Sequence, residues 1–310
     1  MLERVAVTGG SGFIGGHVVD ALLAHGYRVR VLDKRMPVQP EAEWVPVDIL
    51  DLGGLTEAVR GADAVFHLAA VSDVNDIFAD PAASVLQNVQ GTVNVLEAAR
   101  RAEAGRVIFA STVWVYAATS GQVVDETTCF EPETDRHLYV STKILAEFLC
   151  RDYHTLYGRP YTVLRYGIPY GPRMRDNLVI ASFIRRALSG DPLKIDGDGS
   201  QERSFIYVED LARAHVLALS PVAENRTFNL DGDCPVSIRE IAETVRTLIG
   251  NVSVEYGPQR PGDFRARTVR IERARNELNW APQVSFMDGI QRTVDWYRTR
   301  MLTEQAVSAG

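Results

Sequence analysis

The amino-acid sequence predicts a doubly wound α/β fold, in which helices cover both faces of a parallel sheet. In the N-terminal half, short runs rich in β-branched residues alternate with longer amphipathic stretches, as in parallel strands joined by helices. The chain has 310 residues, of which 46% are hydrophobic. That length is enough to bury a large core, in one α/β domain or in two closely joined lobes.

Strands and helices alternate as far as residue 166. The predicted strands are short and apolar, and they are Arg4–Thr8, Arg28–Asp33, Trp44–Asp48, Ala64–Leu68, Arg106–Ser111 and Tyr161–Tyr166. The predicted helices have apolar residues at helical spacing, and they are Gly15–His25, Gly53–Arg60, Pro81–Arg101 and Leu138–Tyr157. We therefore assign residues 1–166 to one sheet-forming domain.

The pattern is less regular after Gly171. Helices are predicted at Leu178–Leu188, Asp210–Leu219, Ile238–Ile249, Ile271–Leu278 and Met287–Tyr297, and strands at Pro192–Ile195, Thr227–Leu230 and Ser253–Tyr256. We assign residues 167–300 mainly to a smaller α/β lobe, with some segments returning to the main sheet. The last residues are small and polar, so we expect 301–310 to form a flexible tail.

Composition and charge argue against several classes of protein. The net charge is −7 and the pI is about 5.5, which gives no basic surface for nucleic acid or an anionic membrane. No apolar stretch reaches the ~20 residues that a membrane span needs. Residues Met1–Thr8 lack the regions of a signal peptide, so we expect a cytoplasmic protein. Three scattered cysteines and six histidines without ligand spacing predict no disulfide framework and no metal site.

A glycine-rich turn joins the first strand to the first helix. It comprises Gly9, Gly12, Phe13, Ile14 and Gly15, in the order Gly-x-x-Gly-x-x-Gly. After a strand and before a helix, such a run is typical of a dinucleotide site, because glycines let the backbone approach the pyrophosphate at the positive helix end. Residues 1–166 are therefore predicted to be a Rossmann-type domain that binds the cofactor and carries the catalytic residues.

The second strand ends in a carboxylate that favours NAD over NADP. Asp33 lies about 20 residues beyond the glycines, where a carboxylate accepts hydrogen bonds from the adenosine ribose hydroxyls. It also repels the 2′-phosphate of NADP. Lys34 and Arg35 follow directly, and these cations either accommodate that phosphate or simply face solvent. We predict NAD as the cofactor.

Tyr139 and Lys143 are four residues apart in a predicted helix, so they point from the same face. A phenol loses its proton near pH ~10, and an ammonium beside it favours the phenolate. Such a tyrosine can take a proton from an alcohol or return one to a ketone. Exposed helix faces often carry the same pair, but the glycine turn and Asp33 favour the catalytic interpretation.

Further motifs are spread along the chain. They are Thr8–Gly15, Val47–Ile49, Phe66–Ala70, Asn88–Thr92, Phe109–Thr112, Tyr139 with Lys143, Leu164–Tyr166, Tyr170–Arg173, Arg203–Tyr207, Asp210 and Arg260–Asp263. In combination they resemble the extended short-chain dehydrogenase/reductases, in the branch of NAD-dependent nucleotide-sugar epimerases and dehydratases. The resemblance runs from Arg4 to about Tyr297, nearly the whole chain.

The resemblance implies a role for each matching residue of the cofactor site. Asp48 and Ile49 would hold the adenine. Leu68, Ala69 and Ala70 would line the NAD phosphates and nicotinamide ribose, with Asn88 beneath, and Lys143 would bind that ribose and lower the pKa of the tyrosine. Lys34 and Tyr166 are also assigned to the cofactor site. Thr112 would hydrogen-bond the reacting sugar oxygen, and Tyr139 would act as base and acid. His67 is expected to be packed at a strand end.

The resemblance also implies a nucleotide-diphosphate sugar as substrate. Arg203 and Arg260 would bind the diphosphate, since a guanidinium contacts phosphate in a bidentate manner. Asn177 and Leu178 would add contacts at a helix start, and Asp263 would accept from a ribose hydroxyl. Arg175 would meet a C6 carboxylate, or else face solvent or the diphosphate.

Val113 and Trp114 narrow the predicted reaction. Dehydratases of this branch carry Asp-Glu at these two positions, and uronate decarboxylases need a Glu at the second. Neither residue of this chain can carry a proton, so we predict a 4-epimerase acting on a UDP-hexose or UDP-hexuronate. Gly167 and Ile168 replace the usual Phe-Asn, and this departure leaves the sugar open.

Several alternatives remain open on the sequence alone. One is a reductase of nucleotide-keto-sugars that consumes NAD(P)H, and another is a dehydratase or decarboxylase with atypical acid/base residues. A more remote one is a regulator that binds the dinucleotide without chemistry. The helices 81–101 and 138–157 have apolar residues on more than one side, which predicts a homodimer formed by helix pairing.

Overall fold

The structure is a computed structural model, and it describes residues 2–117, 119, 123–131, 137–250, 252–258 and 268–308. The chain forms two compact units. The first unit comprises Met1–Gly167, Leu211–Leu230 and Thr268–Ala281, and the second comprises Ile168–Asp210, Asp231–Arg267 and Pro282–Gly310. Two stretches of the C-terminal half thus belong to the same unit as the N-terminal half.

Seven parallel strands form the central sheet of the first unit. They are β1 (Arg4–Thr8), β2 (Arg28–Leu32), β3 (Glu43–Val45), β4 (Ala64–His67), β5 (Arg106–Thr112), β7 (Tyr161–Tyr166) and β11 (Arg226–Leu230). Their order is β11-β7-β5-β4-β1-β2-β3, and every neighbouring pair is parallel. The order reverses between β1 and β4, and ligands of doubly wound sheets bind at the carboxyl ends of the strands beside such a reversal. The predicted Rossmann-type sheet is confirmed.

Helices and short connections complete the first unit. The helices are α1 (Phe13–Ala24), α2 (Leu52–Ala58), α3 (Val74–Ala79), α4 (Pro81–Val85), α5 (Gly91–Arg101), α6 (Leu138–Tyr157) and α10 (Glu272–Leu278). A π-helical turn, Leu86–Gln90, joins α4 to α5, and 3₁₀ turns lie at Val113–Tyr116 and Pro221–Ala223. A small parallel ladder pairs β6 (Val123–Val124) with β14 (Thr268–Val269). Helix α8 (Val208–Leu217) begins in the second unit and continues into the first.

Among its described residues, the second unit has two small sheets, and three helices lie entirely within it. In one sheet, β10 (Glu202–Tyr207) is parallel to β8 (Ile168–Tyr170) and antiparallel to β12 (Pro235–Ser237). In the other, β9 (Leu193–Asp196) pairs with β13 (Val254–Gly257) in parallel. The helices α7 (Val179–Leu188), α9 (Ile238–Ile249) and α11 (Phe286–Ser308) pack on one another.

The core of the first unit supports the carboxyl ends of its strands. All seven residues of β5 are buried. Apolar side chains from β1, β4, β5 and β7 pack with those of α2, α5 and α6 in one continuous cluster. A strand covered on both faces holds the residues at its end in fixed positions, so the side chains that follow β1, β4 and β5 have a firm support.

Several predicted boundaries need correction. Helix α1 begins at Phe13, ahead of the predicted Gly15, because glycines are weak helix formers and obscure the start. The predicted single helix 81–101 contains the π-helical turn. Helix α11 continues to Ser308, beyond the predicted end at Tyr297. Strand β10 was not predicted, because polar residues fill its first half and apolar residues its second half, so no alternation is visible.

Candidate active site

The turn after β1 has a backbone path that requires glycine. Gly9 has a φ of +72°, and a Cβ added there would lie 2.7 Å from the backbone nitrogen of Ala69. A Cβ on Gly15 would lie 2.1 Å from the carbonyl oxygen of Gly9. Gly12 donates to that same oxygen at 3.0 Å and precedes α1 without offering a side-chain cap. The glycines thus keep side-chain atoms away from the start of α1, where the first N–H groups of a helix can bind an anion.

Asp33 follows β2 and is held by two backbone donors. Ser11 N donates to Asp33 Oδ2 at 3.1 Å, and Arg35 N donates to Oδ1 at 3.0 Å. The glycine turn and the carboxylate are therefore joined directly. The Lys34 side chain makes a different contact, because its Nζ lies 3.1 Å from Asp48 Oδ2. Two of the predicted cofactor residues, Lys34 and Asp48, thus form an ion pair.

Asp48 and Ile49 lie just before α2. Leu50 N donates to Asp48 Oδ1 at 3.0 Å, and this bond, with the Lys34 ammonium, holds the pKa of Asp48 below its ordinary value against the effect of burial. The Ile49 side chain is buried in the hydrophobic core, and its carbonyl accepts from Asn94 Nδ2 at 3.0 Å. Of the two predicted adenine residues, only Asp48 thus has its side chain outside the core.

The loop after β4 carries Leu68, Ala69 and Ala70 and is bound to β1. Leu68 N donates to Thr8 O at 3.2 Å, and Ala69 N donates to Thr8 Oγ1 at 3.3 Å. All three residues are half-buried. They lie beside the glycine turn at the reversal of strand order, because β1 and β4 are neighbours in the sheet.

Asn88 links this loop to α6. It lies in the π-helical turn, a feature that often marks functional sites. Its Oδ1 accepts from Val71 N at 2.8 Å, and its Nδ2 donates to Val71 O at 2.9 Å and to Thr142 Oγ1 at 3.2 Å. Thr142 in turn donates to the carbonyl of Tyr139 at 2.7 Å. Asn88 therefore supports both the predicted cofactor loop and the first turn of α6.

His67 is a packed, neutral residue. Its Nδ1 lies 2.8 Å from Thr8 Oγ1 and its Nε2 lies 3.0 Å from Thr92 Oγ1. Thr92 uses its own proton to bond Asn88 O at 2.6 Å, so His67 must carry its proton on Nε2. Burial, with the nearby Lys143 charge, lowers the pKa of His67 to about 3. These contacts agree with the expectation that this residue is packed and not catalytic.

Tyr139 and Lys143 lie on successive turns of α6, as their spacing predicts. Lys143 is 5% exposed, and its ammonium donates to Ala110 O at 2.8 Å. It lies 5.7 Å from the centroid of the Tyr139 ring. The helix begins with an unusual cap, since His137 Nδ1 accepts from Tyr139 N at 3.3 Å. A cation near a phenol favours its ionised form, so this contact agrees with the predicted role of the pair.

Thr112 is the last residue of β5, the strand that also binds Lys143 through Ala110. Its Oγ1 accepts from Trp114 N at 3.2 Å and so caps the 3₁₀ turn Val113–Tyr116. The Thr112 proton is not used in that bond. Trp114 is 40% exposed and Val113 is half-buried. Thr112, Tyr139 and Lys143 therefore occur on two elements that pack against each other.

Tyr166, predicted as a cofactor residue, ends β7 beside β5. Its hydroxyl bonds His215 Nε2, and His215 Nδ1 contacts Leu211 O at 2.8 Å, which fixes that ring as the acceptor of the Tyr166 proton. Burial, with the Tyr139 hydroxyl, raises the pKa of Tyr166 well above its ordinary value. Its phenol is therefore neutral and already bonded within the protein.

Apart from Thr112, the predicted substrate residues that the structure describes belong to the second unit. Asn177 and Leu178 directly precede α7, whose N-cap residue Leu178 has extended backbone and makes no side-chain cap bond. Arg175 is exposed, and its carbonyl accepts from Leu178 N at 3.2 Å. Arg203 is half-buried on β10, where its Nη1 donates to Glu202 O at 2.7 Å. Two further predicted residues, Arg260 and Asp263, lie outside the described residues.

Sequence reasoning missed a buried charged pair next to the catalytic elements. Glu147 lies one turn after Lys143 on α6, and Arg165 lies on β7. They bond through two contacts, Arg165 Nε to Glu147 Oε1 at 2.8 Å and Nη2 to Oε2 at 2.7 Å. The available signal was a glutamate on the apolar face of a helix, where an ionised residue is rare unless it is paired.

Comparison with known proteins identifies the family. The profile of the NAD dependent epimerase/dehydratase family matches residues 5–231, most of the chain. The chain belongs to this family. The sequence resemblance is thereby confirmed, and the protein is an enzyme of the nucleotide-sugar epimerase, dehydratase and decarboxylase group. NAD is the cofactor of the family.

Individual relatives cover nearly the whole chain but differ in reaction. A UDP-N-acetyl-alpha-D-glucosaminuronate decarboxylase from Bacillus cytotoxicus is 32% identical over 96% of this chain and 98% of its own. A UDP-glucuronate 4-epimerase from Thermodesulfobacterium geofontis is 32% identical over 94% of each chain. The crystal structure of UDP-glucuronic acid 4-epimerase from Bacillus cereus, with UDP-glucuronic acid and NAD, superposes with a TM-score of 0.86 at 29% identity, covering 96% of this chain and 99% of that one.

The glycine turn, the start of α1 and Asp33 are suited to bind the NAD that the family uses. The cradle at Gly9 and Gly15 would be filled by any Cβ, and the adjoining N–H groups begin with those of Phe13 and Ile14, the first residues of α1. Asp33 is held at the end of β2, where a carboxylate that binds the adenosine ribose is expected. These observations agree with a dinucleotide whose pyrophosphate lies on the start of α1.

The described residues lack two kinds of feature. No three His, Cys, Asp or Glu side chains in that part of the chain cluster closely enough to hold a metal ion. None of the helices described is both long and apolar enough to cross a membrane. The cysteines are unpaired, with Cys150 buried and Cys129 and Cys234 exposed.

Proposed function

We propose that this family member is a nucleotide-sugar 4-epimerase that acts on a UDP-hexose or a UDP-hexuronate. Tyr139 is the base and acid, Lys143 supports its phenolate and binds the nicotinamide ribose, and Thr112 orients the reacting oxygen. The similarity to two UDP-glucuronate 4-epimerases supports this proposal. The decarboxylase relative argues against it, and the residues beside Thr112 favour epimerisation over that reaction.

The turn after Thr112 is the observation that carries the proposal. Elimination and decarboxylation need a second acid or base next to the threonine, whereas epimerisation needs none. In this chain Val113 and Trp114 occupy the first two positions of the 3₁₀ turn, and neither side chain can exchange a proton. His67 cannot substitute, because both of its ring nitrogens are engaged and it stays neutral. Epimerisation is the reaction that these residues support best.

Proton transfer in this reaction needs only one residue. NAD, when bound, supplies the acceptor and later the donor of the hydride at the sugar carbon. The Tyr139 phenolate takes the proton of the C4 hydroxyl as the C4–H bond breaks, and Thr112 keeps that oxygen in place. After the ketone has turned its other face, the C4–H bond forms again and Tyr139 returns the proton to oxygen. The cycle consumes no external reductant and releases no water.

We infer the substrate contacts from the second unit. The start of α7 after Asn177 and Leu178 offers backbone N–H groups to a phosphate. Arg203 and Arg260 are proposed to bind the diphosphate, and Asp263 the nucleotide ribose. Arg175 is proposed to contact either the diphosphate or a C6 carboxylate, and this choice separates a hexose from a hexuronate substrate.

A panel of nucleotide sugars tests the proposal. Purified protein is incubated with UDP-, dTDP-, GDP- and CDP-sugars, including UDP-glucose and UDP-glucuronate, and the products are read by NMR. We expect inversion at C4 of one UDP-sugar without added reductant. Strict dependence on NADPH would indicate a keto-sugar reductase, and loss of carbon dioxide or water would indicate a decarboxylase or dehydratase.

We also propose a homodimer formed through α6. The outer face of this helix carries the apolar residues Leu138, Leu145, Phe148 and Leu156, all of them exposed. They recur at helical spacing, opposite the face that holds Lys143 and Glu147. Exposed apolar residues that recur along one helix face are typical of an interface, and pairing of α6 with its copy would cover them.

A further inference from the structure

Glu147 and Arg165 form a bidentate ion pair in the interior of the first unit. Their side chains are 0% and 3% exposed. Burial raises the pKa of Glu147, but the hydrogen bonds and charge of Arg165 more than offset this and hold it below its ordinary value. Both groups are therefore charged at neutral pH. Desolvating two charges costs about as much as their attraction returns, so stability alone is a weak reason for such a pair.

The pair bonds residues on both sides of Thr112. Ser111, which directly precedes Thr112 in β5, donates from Oγ to Glu147 Oε1 at 2.7 Å. Tyr116, which ends the turn after Thr112, contacts Arg165 Nη1 through its hydroxyl. The backbone of Thr112 is thus fixed before and after by groups that depend on the same ion pair.

The pair also fixes α6 in register with β5. Glu147 lies four residues after Lys143 and eight after Tyr139, on the same face of the helix. The two elements are bonded at successive positions, by Lys143 Nζ to Ala110 O at 2.8 Å and by Ser111 Oγ to Glu147 Oε1 at 2.7 Å. Any sliding of α6 along β5 must break both bonds.

The Tyr116 hydroxyl extends the contact network beyond the ion pair. It donates to Asn229 Oδ1 at 2.9 Å, and burial raises the pKa of Tyr116 to about 12. This hydroxyl therefore stays neutral and acts as both acceptor and donor over the whole working pH range. Asn229 is buried near the end of β11, the edge strand beside β7. The turn after Thr112 is therefore also bound to the sheet.

Resting on the proposed function, we propose that the Glu147–Arg165 pair is a positioning device. It sets the distance between the Thr112 hydroxyl on β5 and the Tyr139 phenol and Lys143 ammonium on α6. Neither charged group of the pair has to touch substrate or cofactor for this effect. A misplacement of about 1 Å in a catalytic group can cost roughly 100-fold in rate, so the register of two elements is enough to control turnover.

Mild variants test the proposal without removing a buried charge. Ser111→Ala removes one bond between β5 and Glu147, and Tyr116→Phe removes the bond between the turn and Arg165. Arg165→Lys keeps the charge but loses the bidentate geometry. The matched control is Arg106→Lys, at the opposite end of β5, where a buried arginine donates to Leu219 O and Ser220 O at 2.7 and 3.1 Å.

Two readouts distinguish positioning from stability. The first is the apparent pKa of the Tyr139 phenol, obtained with NAD bound from the ultraviolet difference between each protein and its Tyr139→Phe counterpart. The second is kcat and KM on the sugar that the panel identifies. We expect the three variants to raise the phenol's apparent pKa and to lower kcat by roughly 10-fold or more, with KM and NAD affinity changed by less than about threefold.

The control separates the outcomes. Arg106→Lys is expected to lower the Tm while leaving the phenol titration and kcat as in the wild type. The proposal is overturned if the three variants lower the Tm in the same way and keep a wild-type titration and kcat. If the wild type epimerises no sugar, the proposed function fails, but the phenol titration still decides whether the ion pair sets the Tyr139 environment.

Discussion

Lys143 donates a hydrogen bond to the backbone carbonyl of Ala110 across 2.8 Å, which binds the lysine of α6 to the strand that ends at Thr112. The ammonium also lies 4.8 Å from the centroid of the Phe109 ring. Burial lowers the pKa of Lys143 to about 8, although the nearby Cys150 thiol and Glu147 carboxylate act in the opposite direction. The charge that supports the Tyr139 phenolate is therefore maintained at a cost in stability.

That cost predicts a pH dependence of stability. The pKa of Lys143 is about 8 in the folded protein and 10.5 in the reference state, so the unfolded chain binds more protons between these values. The free energy of unfolding without NAD should therefore rise from pH 8 to 10.5, relative to Lys143→Met, by an amount on the order of 3 kcal/mol. Denaturant unfolding of both proteins at intervals of pH measures the difference. Parallel curves for the two proteins would show that the ammonium is not desolvated.

Tyr139→Phe should abolish turnover and leave the cofactor site intact. The variant loses the only proton-exchanging group that we assign to the reaction, while the ring and its packing remain. We expect kcat to fall by roughly 10³-fold or more, with NAD affinity within about twofold of the wild type because the glycine turn and Asp33 are untouched. Steady-state kinetics and calorimetric titration with NAD measure the two effects. Full activity in this variant would remove Tyr139 from the mechanism.

Gly15→Ala should abolish NAD binding. The added methyl group would lie 2.1 Å from the Gly9 carbonyl oxygen, so the turn must open and the start of α1 must move. Gly53→Ala is the matched control, because its Cβ would meet only Asp51 Oδ1 at 3.5 Å. In helix α2 that change should stabilise the protein by about 0.5–1 kcal/mol. NAD titration and thermal unfolding of both variants check these expectations, and retained NAD affinity in Gly15→Ala would contradict the assigned cradle.

The features that the sequence could predict are those with local signals. Strand β1 and helix α6 were predicted with their observed bounds, because hydrophobic periodicity and flanking turns define them. The glycine turn was recognisable because Gly9 and Gly15 are required by backbone contact and not by distant partners. The pairing of Asp33 with this turn follows from parallel strands that end at the same edge of the sheet.

Other features depend on contacts between residues far apart in the chain. Glu147 on α6 pairs with Arg165 on β7, and no spacing in the sequence indicates that pairing. The Lys34 ammonium pairs with the Asp48 carboxylate, and only the fold brings these two predicted cofactor residues together. Ile49 belongs to a motif, yet its side chain lies in the core, because a motif does not tell which atoms of a residue face a ligand.

Asp33→Asn should weaken NAD binding and reduce the preference over NADP. The carboxylate oxygens accept from Ser11 N and Arg35 N, and an amide can replace only one of these acceptors. The change also removes the charge that repels a 2′-phosphate. We expect the Kd for NAD to rise about 10-fold and the ratio of NADP to NAD affinity to increase. Calorimetric titration with both cofactors measures this, with Asp152→Asn, an exposed position on α6, as the charge-matched control.

Phe148→Glu and Leu145→Glu should dissociate the proposed homodimer. These side chains are 46% and 43% exposed on the outer face of α6, and a carboxylate there would have to be buried against its own copy at a prohibitive cost. Val222→Glu is the matched control, because Val222 is exposed to the same extent, 44%, but lies on a 3₁₀ turn away from this helix face. Light scattering and sedimentation velocity should give a dimer for the wild type and the control, and a monomer for the α6 variants. A wild type that sediments as a monomer, or α6 variants that remain dimeric, would move the interface elsewhere or remove it.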